Sequence, residues 1–317
     1  VGQEVRLLLR KLASLLTSAV IASFVVFAFL AVLPGDPAEV ALGTNATPDA
    51  VAALRHEFGT DRPLVTQYLD WAQGLLHGDF GTSYVTHDLI GPRITDRFGV
   101  TCWLALGGML VAVLLALPAG VLAAAWHRKA AGALLSALSQ AGIAIPAFLA
   151  GILLVYVFAV RAGALPAGGY TPLAEDPGEW ARHLVLPCLS LGLVQGAVLT
   201  RYVRSAVLTV LHQDFLRTAR AKGRRRRAAL WRHGLPNAAV PVLTVLGLQL
   251  STLLVGAVVV ERVFVVPGLG DLLLQGVADR DLLLVQGVVI VLVVAVLVVN
   301  VVTDLLYHLL DPRLRSR

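Results

Sequence analysis

The sequence predicts an all-α, polytopic membrane protein with six transmembrane helices. Three observations carry this. The chain of 317 residues is 57% hydrophobic and only 15% charged. Long uncharged stretches recur along it, and crossing about 30 Å of hydrocarbon takes roughly 20 apolar residues as a helix. Backbone polar groups in lipid must be satisfied within the segment, which favours helices.

The expected spans are 12–33, 101–126, 130–160, 183–211, 235–260 and 282–310. The fourth has about 17 apolar residues before Arg201 and Arg204, near the lower limit for a span, and those two side chains are expected to snorkel toward water. Pro118, Pro146 and Pro187 predict bends, because proline lacks the N–H that a helix interior needs. The first segment is expected to be an uncleaved span, since its apolar part is longer than a signal core and no small-x-small cleavage site follows it.

Charge orients these spans. Arg6, Arg10 and Lys11 precede the first, Arg128 and Lys129 separate the second from the third, a basic block lies between the fourth and fifth, and Arg313, Arg315 and Arg317 follow the last. With six spans all of these fall on one side, and the positive-inside rule places that side, with both termini, in the cytoplasm. The opposite side receives the acidic residues Asp36, Glu39, Asp49, Glu57, Asp61, Asp70, Asp79, Asp88 and Asp96, then Glu175, Asp176, Glu179, Asp271, Asp279 and Asp281. The net charge of +6 is therefore an orientation signal, and a nucleic-acid partner is not expected.

This divides the chain into a cytoplasmic tail with the first span (1–33), an extracytoplasmic loop (34–98) and a five-helix core (99–317) with a cytoplasmic loop at 212–236. In the outer loop, "TPDAVAALRHEFG" has a Thr-Pro start and a Gly stop, and Leu64, Tyr68, Trp71 and Leu75 share one helical face, so two short amphipathic helices are expected there. Cys102 and Cys188 lie far apart in apolar segments and predict neither a disulfide framework nor a metal site.

None of the three lysines fits GxxxxGK[ST], so phosphate-loop nucleotide hydrolysis is excluded. "PGLGD" at 267–271 contains the GxGD pattern of intramembrane aspartyl proteases, but a Tyr-Asp pair to supply a second catalytic aspartate is missing from the sequence. A surface turn is the preferred reading of Asp271. Glu261, Arg262 and Asp304 lie near span ends and are expected to anchor at the interface rather than meet substrate. Gln195, Gln249 and Asn300 are polar companions worth testing, and the substrate-path residues are not assignable from sequence.

The basic block is "DFLRTARAKGRRRRAALWRHGLPNAAVP", from Asp214 to Pro241. Residues 207–222 are helix formers without proline, Gly223 permits a turn, and a second helix is expected to end at Pro236. Leu216, Ala219 and Gly223 form an apolar strip suited to a groove in another protein, while the arginines suit acidic side chains or lipid phosphates.

At these residues the chain resembles the permease subunits of bacterial ABC importers, whose cytoplasmic loop reads EAA, three residues, Gly, nine residues, then I-x-LP. Arg217, Thr218 and Ala219 stand at EAA, Gly223 at the glycine, His233 at the isoleucine, and Leu235 with Pro236 at the final pair. Arg217, Thr218 and His233 depart from that consensus. "RTARAKG", "LPGDP" from Leu33, "DRPLVTQYLDWAQGLLHGDFGTSY" from Asp61, "IPAFLAGILLVYVF" from Ile145, "LPAGGY" from Leu165, "ERVFVVPGLGDLL" from Glu261 and the terminal "DPRLR" resemble the dipeptide and oligopeptide branch.

The resemblance implies a type I ABC importer-like fold in the bacterial inner membrane, acting as a non-enzymatic permease for short peptides. It implies that Arg217, Thr218, Ala219, Arg220, Ala221, Lys222, Gly223, Leu235 and Pro236 couple the spans to an ATPase. It also implies two cytoplasmic ATPase subunits or domains that hold ATP and Mg, a second homologous permease, an extracytoplasmic peptide-binding protein and surrounding membrane lipid. This chain itself is expected to bind no cofactor. Related permeases accept nickel, haem or glutathione, so those cargoes are the alternative. A GxGD protease and a non-transporting membrane anchor are rivals of a different class.

Overall fold

The computed structural model describes residues 2–32, 36–223 and 225–310. Residues 33–35 of "LPGDP", Arg224 and the terminal "DPRLR" lie outside them. The helices are α1 (Gly2–Val32), α2 (Pro37–Leu42), α3 (Pro48–Phe58), α4 (Leu64–Leu76), α5 (Ile90–Ala125), α6 (Ala130–Ala144), α7 (Ala147–Leu154), α8 (Pro177–Leu211), α9 (Asp214–Ala221), α10 (Arg226–Ala229), α11 (Leu235–Phe264), α12 (Leu269–Ala278) and α13 (Leu282–Leu310). Wider π turns extend α7 through Val155–Arg161 and join α10 to α11 through Leu230–Gly234.

Among the described residues five helices are long and apolar enough to cross a membrane, and α6 with α7 makes a sixth span if the bent pair is taken as one. That pair occupies the span expected over 130–160 and carries the bend that Pro146 predicts, 100° in size. The cause is local. Ile145 takes φ −87° and ψ 120° ahead of Pro146, because the proline ring disfavours helical geometry in the preceding residue. The fourth span begins earlier than expected, at Pro177, because Asp176 caps it: its Oδ1 accepts from the amides of Gly178 at 2.8 Å and Glu179 at 3.1 Å, and Pro177 costs nothing at the first helical position.

The chain forms two compact units. The first contains Val1–Thr101 and Pro267–Val298. Its core gathers Ile90 and Ile94 from the start of α5, Leu269 and Leu272 from α12, and Leu284 and Val288 from α13. The Leu269 amide donates to Thr101 Oγ1 at 2.8 Å. Asp281 precedes α13 and accepts from the Leu284 amide at 3.3 Å; it also accepts from the buried Ser83 hydroxyl. The Ser83 oxygen in turn accepts from the Thr86 amide at 3.0 Å, so the 79–89 loop is tied to the start of α13. Burial, and then the Asp281 charge, push the Tyr84 phenol above its ordinary pKa.

Helices α3 and α4 occupy the segment where amphipathic helices are expected. Thr47 caps α3, and Gly59 follows it in the left-handed region. Tyr68 and Trp71 of α4 pack on Phe24 and Phe27 of α1, with ring centroids 5.5–5.9 Å apart, and Tyr68 shares a hydrogen bond with Ser23 at 3.0 Å. At the exposed end of α3 the His56 ring, 2.8 Å from Asp61, holds the Asp61 carboxyl below its usual range.

The second unit contains Cys102–Val266 and Val299–Arg317. Helix α8 runs through its middle, burying Leu186, Leu191, Leu199, Val203 and Val207. Helices α5 and α8 approach closely at small residues: a Cβ on Gly108 would stand 2.9 Å from Leu191 Cβ, and one on Gly192 would stand 2.4 Å from Val111 Cγ1. Small side chains at such crossings let membrane helices pack without a hydrophobic driving force.

Candidate functional site

The loop between α8 and α11 is a layered arrangement rather than a solvated strand of arginines. Helix α8 ends at Leu211, capped at His212, so the uninterrupted helix expected over 207–222 is corrected to two helices with a break at His212–Gln213. The break is held by the His212 amide bonding the Thr209 carbonyl and the Gln213 amide bonding that of Val210. Helix α9 follows, and its Thr218 hydroxyl donates to the Asp214 carbonyl at 3.0 Å.

The apolar strip proposed from sequence is also corrected. Leu216 is 4% exposed, and it packs with Val210, Ala229 and Leu230 in this chain's own core, where Ala219 joins it in part. The side that faces away carries Phe215, 40% exposed, with Thr218 and Lys222 exposed beside it. Sequence reasoning missed Phe215 because its apolar character matches Leu216; only the rotation of α9 separates them.

Gly223 has φ +83°, and a Cβ there would meet nothing within 4 Å. Its glycine is needed for the backbone turn alone. Gly234 is the opposite case. A Cβ there would lie 2.7 Å from Leu230 Cδ1, 3.5 Å from Val210 Cγ1 and 3.7 Å from Leu216 Cδ1, so the missing side chain lets α8, α9 and the π turn converge. The expected stop at Pro236 is not observed: the helical run continues through it into α11. The wide turn at Leu230–Gly234 shifts the hydrogen-bond register ahead of the proline, which then sits in the first turn of α11, where its absent N–H is tolerated.

Of the expected coupling residues, Arg217, Thr218, Ala221, Lys222 and Gly223 are exposed, Ala219 is partly buried, Leu235 with Pro236 belongs to the next helix, and the Arg220 side chain lies outside the described residues. Arg217 Nη1 lies 3.4 Å from Asp214 Oδ1, with both side chains mostly in solvent. Beneath α9 a cavity of about 350 Å³ is lined by His127, Arg128, Leu211, His212, Leu216, Arg217 and Ala229.

The other residues singled out from sequence do structural work. The Asp271 carboxylate opens α12, pairs with Arg97 at 3.3 Å and accepts from Gln275 Nε2 at 2.6 Å. Glu261 lies in the last turn of α11, near the end of the span as expected, and is fully buried there. Gln249 Nε2 donates to the Gln195 carbonyl at 3.4 Å, and Asn300 Oδ1 accepts from Ser251 at 3.1 Å, so these polar groups join helices. "LPAGGY" and "ERVF" meet at the end of α11, where the Gly169 amide donates to the Phe264 carbonyl at 2.8 Å and satisfies a helix-terminal acceptor.

Long apolar helices interrupted by a basic two-helix loop define a multi-pass membrane protein. The family described as "binding-protein-dependent transport system inner membrane component" matches residues 116–316, and the corresponding N-terminal family matches residues 4–105. The chain belongs to this family and is a permease subunit of an ABC importer in the inner membrane. It is 38% identical over 309 residues to the glutathione transport system permease protein GsiC of Salmonella typhimurium, covering 98% of both chains. It is 37% identical over the same length and coverage to the Escherichia coli K12 protein of that description. Its fold is similar to that of a chain in a structure of the MetNI methionine ABC transporter, with a TM-score of 0.58 at 18% identity, covering 69% of this chain and 96% of that one. The expected all-α, type I importer-like class therefore holds.

Proposed function

We propose that this permease imports small peptides of glutathione size and that α9 is the part moved by an ATPase. Glutathione, which the sequence reading places among the alternative cargoes, is itself a tripeptide, and the description of the 38%-identical relatives supports that alternative over longer peptides. The observation that carries the coupling half is the two-sided character of α9: Leu216 is locked into the permease while Phe215, Thr218 and Lys222 stand outside. A helix anchored on one face and open on the other transmits a push from a docked protein into α8 and α11, as a rigid shared contact requires.

In this proposal the loop is cytoplasmic, and the outer loop, expected over 34–98 but ended earlier because α5 already begins at Ile90, faces an extracytoplasmic binding protein; a second permease completes the path, and two ATPase subunits or domains bind ATP and Mg. The test is ATP-driven uptake by vesicles containing the full set of subunits. Labelled glutathione, di-, tri- and tetrapeptides are offered, with nickel and haem as competitors. Uptake of glutathione or a tripeptide, unaffected by nickel or haem, is expected. Uptake of nickel or haem alone refutes the cargo. Uptake that persists unchanged after both Gly223→Val and deletion of residues 219–222 refutes the coupling role.

A further inference from the structure

We propose that the cavity beneath α9 binds a phosphate group, supplied in the membrane by an anionic phospholipid headgroup. Four of its lining side chains, His127, Arg128, His212 and Arg217, are basic, and none of the lining residues is acidic. The carboxylate of Asp214 pairs with Arg217, and that contact is long and solvated; such exposed pairs stabilise little and are readily exchanged. His127 Nδ1 lies 2.9 Å from the Ala124 carbonyl and His212 Nδ1 lies 2.8 Å from the Leu208 carbonyl. Each Nδ1 therefore carries a proton and donates, which fixes the ring; Nε2 donates to a phosphate only when the ring is doubly protonated, so the constant positive charge of the site comes from Arg128 and Arg217. Helices α5 and α8 both end beside the cavity, at Ala125 and Leu211. Their C-terminal dipoles favour basic side chains there, and the phosphate is held by those side chains rather than by the helices. Arginine suits phosphate through paired N–H donors.

A lipid source follows from position. The cavity lies where two spans end, and its Leu211, Leu216 and Ala229 wall continues into the apolar core of the unit. Leu122 of α5 and Leu134 and Leu138 of α6 are exposed on the two helices that flank the Trp126–Lys129 turn, apolar surface that an acyl chain could cover. Basic pockets between spans at the cytoplasmic boundary are suited to anionic headgroups. An occupied cavity would link α9 to the α5–α6 turn and so brace the loop.

The full-length chain is purified in mild detergent and exposed to equal amounts of phosphatidylglycerol and phosphatidylcholine with identical acyl chains. Retained lipid is then measured by native mass spectrometry. Wild type is expected to retain phosphatidylglycerol at least about fivefold over phosphatidylcholine, the preference one basic side chain supplies. Arg128→Gln with His212→Gln is expected to bring the ratio near one, whereas Arg182→Gln, at the start of α8, leaves it unchanged. Equal retention of the two lipids by wild type, or equal loss in the double and control variants, overturns the proposal.

Binding of inorganic phosphate that the double variant abolishes, without lipid preference in wild type, overturns the lipid source. If the double variant does not fold, photoreactive phosphatidylglycerol on wild type decides: crosslinks within 126–132 or 211–217 support the site, and crosslinks only elsewhere refute it. No transport is measured, so the result is independent of the cargo and the ATPase.

Discussion

Phe215 and Leu216 are adjacent in sequence but roughly 100° apart around a helix, and that rotation gives them different roles. Leu216→Ala removes a buried side chain and is expected to cost about 2–4 kcal/mol, visible as a lower melting temperature of the purified permease. Phe215→Ala is expected to leave the melting temperature unchanged while weakening ATPase association about tenfold, the effect of losing one aromatic anchor, measured by co-purification or surface binding. Equal thermal losses in the two variants would contradict the assignment. The two glycines separate similarly. Gly234→Leu is expected to destabilise by roughly 1–3 kcal/mol through overpacking, whereas Gly223→Ala pays only for its left-handed backbone, about 1 kcal/mol. Tyr84 provides a pH test. Its folded pKa is raised, so its contribution is fully present below the unfolded value near 10 and is lost as pH rises through the folded value. Tyr84→Phe is therefore expected to flatten the alkaline limb of an unfolding-versus-pH curve; an unchanged limb would count against the burial argument.

Among the elements, α6 and α7 show the bend that Pro146 predicts, at an angle the apolar pattern does not specify. Hydrophobicity over 130–160 is continuous, and hydrophobicity reports immersion, not direction. The bend depends on one peptide unit, Ile145–Pro146, where ring sterics exclude the helical geometry. Pro146→Ala restores the N–H and the helical option, and it is expected to lengthen the distance between spin labels at Leu138 and Leu153 measured by pulsed electron resonance; an unchanged distance would place the cause of the bend in tertiary packing. The start of α8 was legible only in part. Asp176 and Pro177 form a readable cap, but the apolar residues that mark the span begin later. Helix α9 was legible as a helix and illegible in its facing, since a short stretch with Phe215, Leu216 and Ala219 offers more than one apolar stripe.

For the whole molecule, charge bias yields a topology with a direct test. Single cysteines replacing Lys129 and Lys222, in a Cys102→Ser, Cys188→Ser background, are expected to react with an impermeant thiol reagent only from the cytoplasmic face, and one replacing Asp79 only from the other. Labelling of Lys222→Cys from outside would reverse the orientation. The number of apolar segments, the helical class, the permease family and the basic loop all followed from composition and motif, because burial in lipid requires long uninterrupted apolar runs and leaves charge only where chains emerge. Facing, closeness and cavities did not follow. Whether Leu216 enters the core, whether Gly234 has room for a side chain, and whether His127 and Arg128 line one space with His212 and Arg217 depend on helices far apart in sequence meeting at defined rotations. Those rotations are set by packing among many side chains at once, a property that no local stretch of the chain contains.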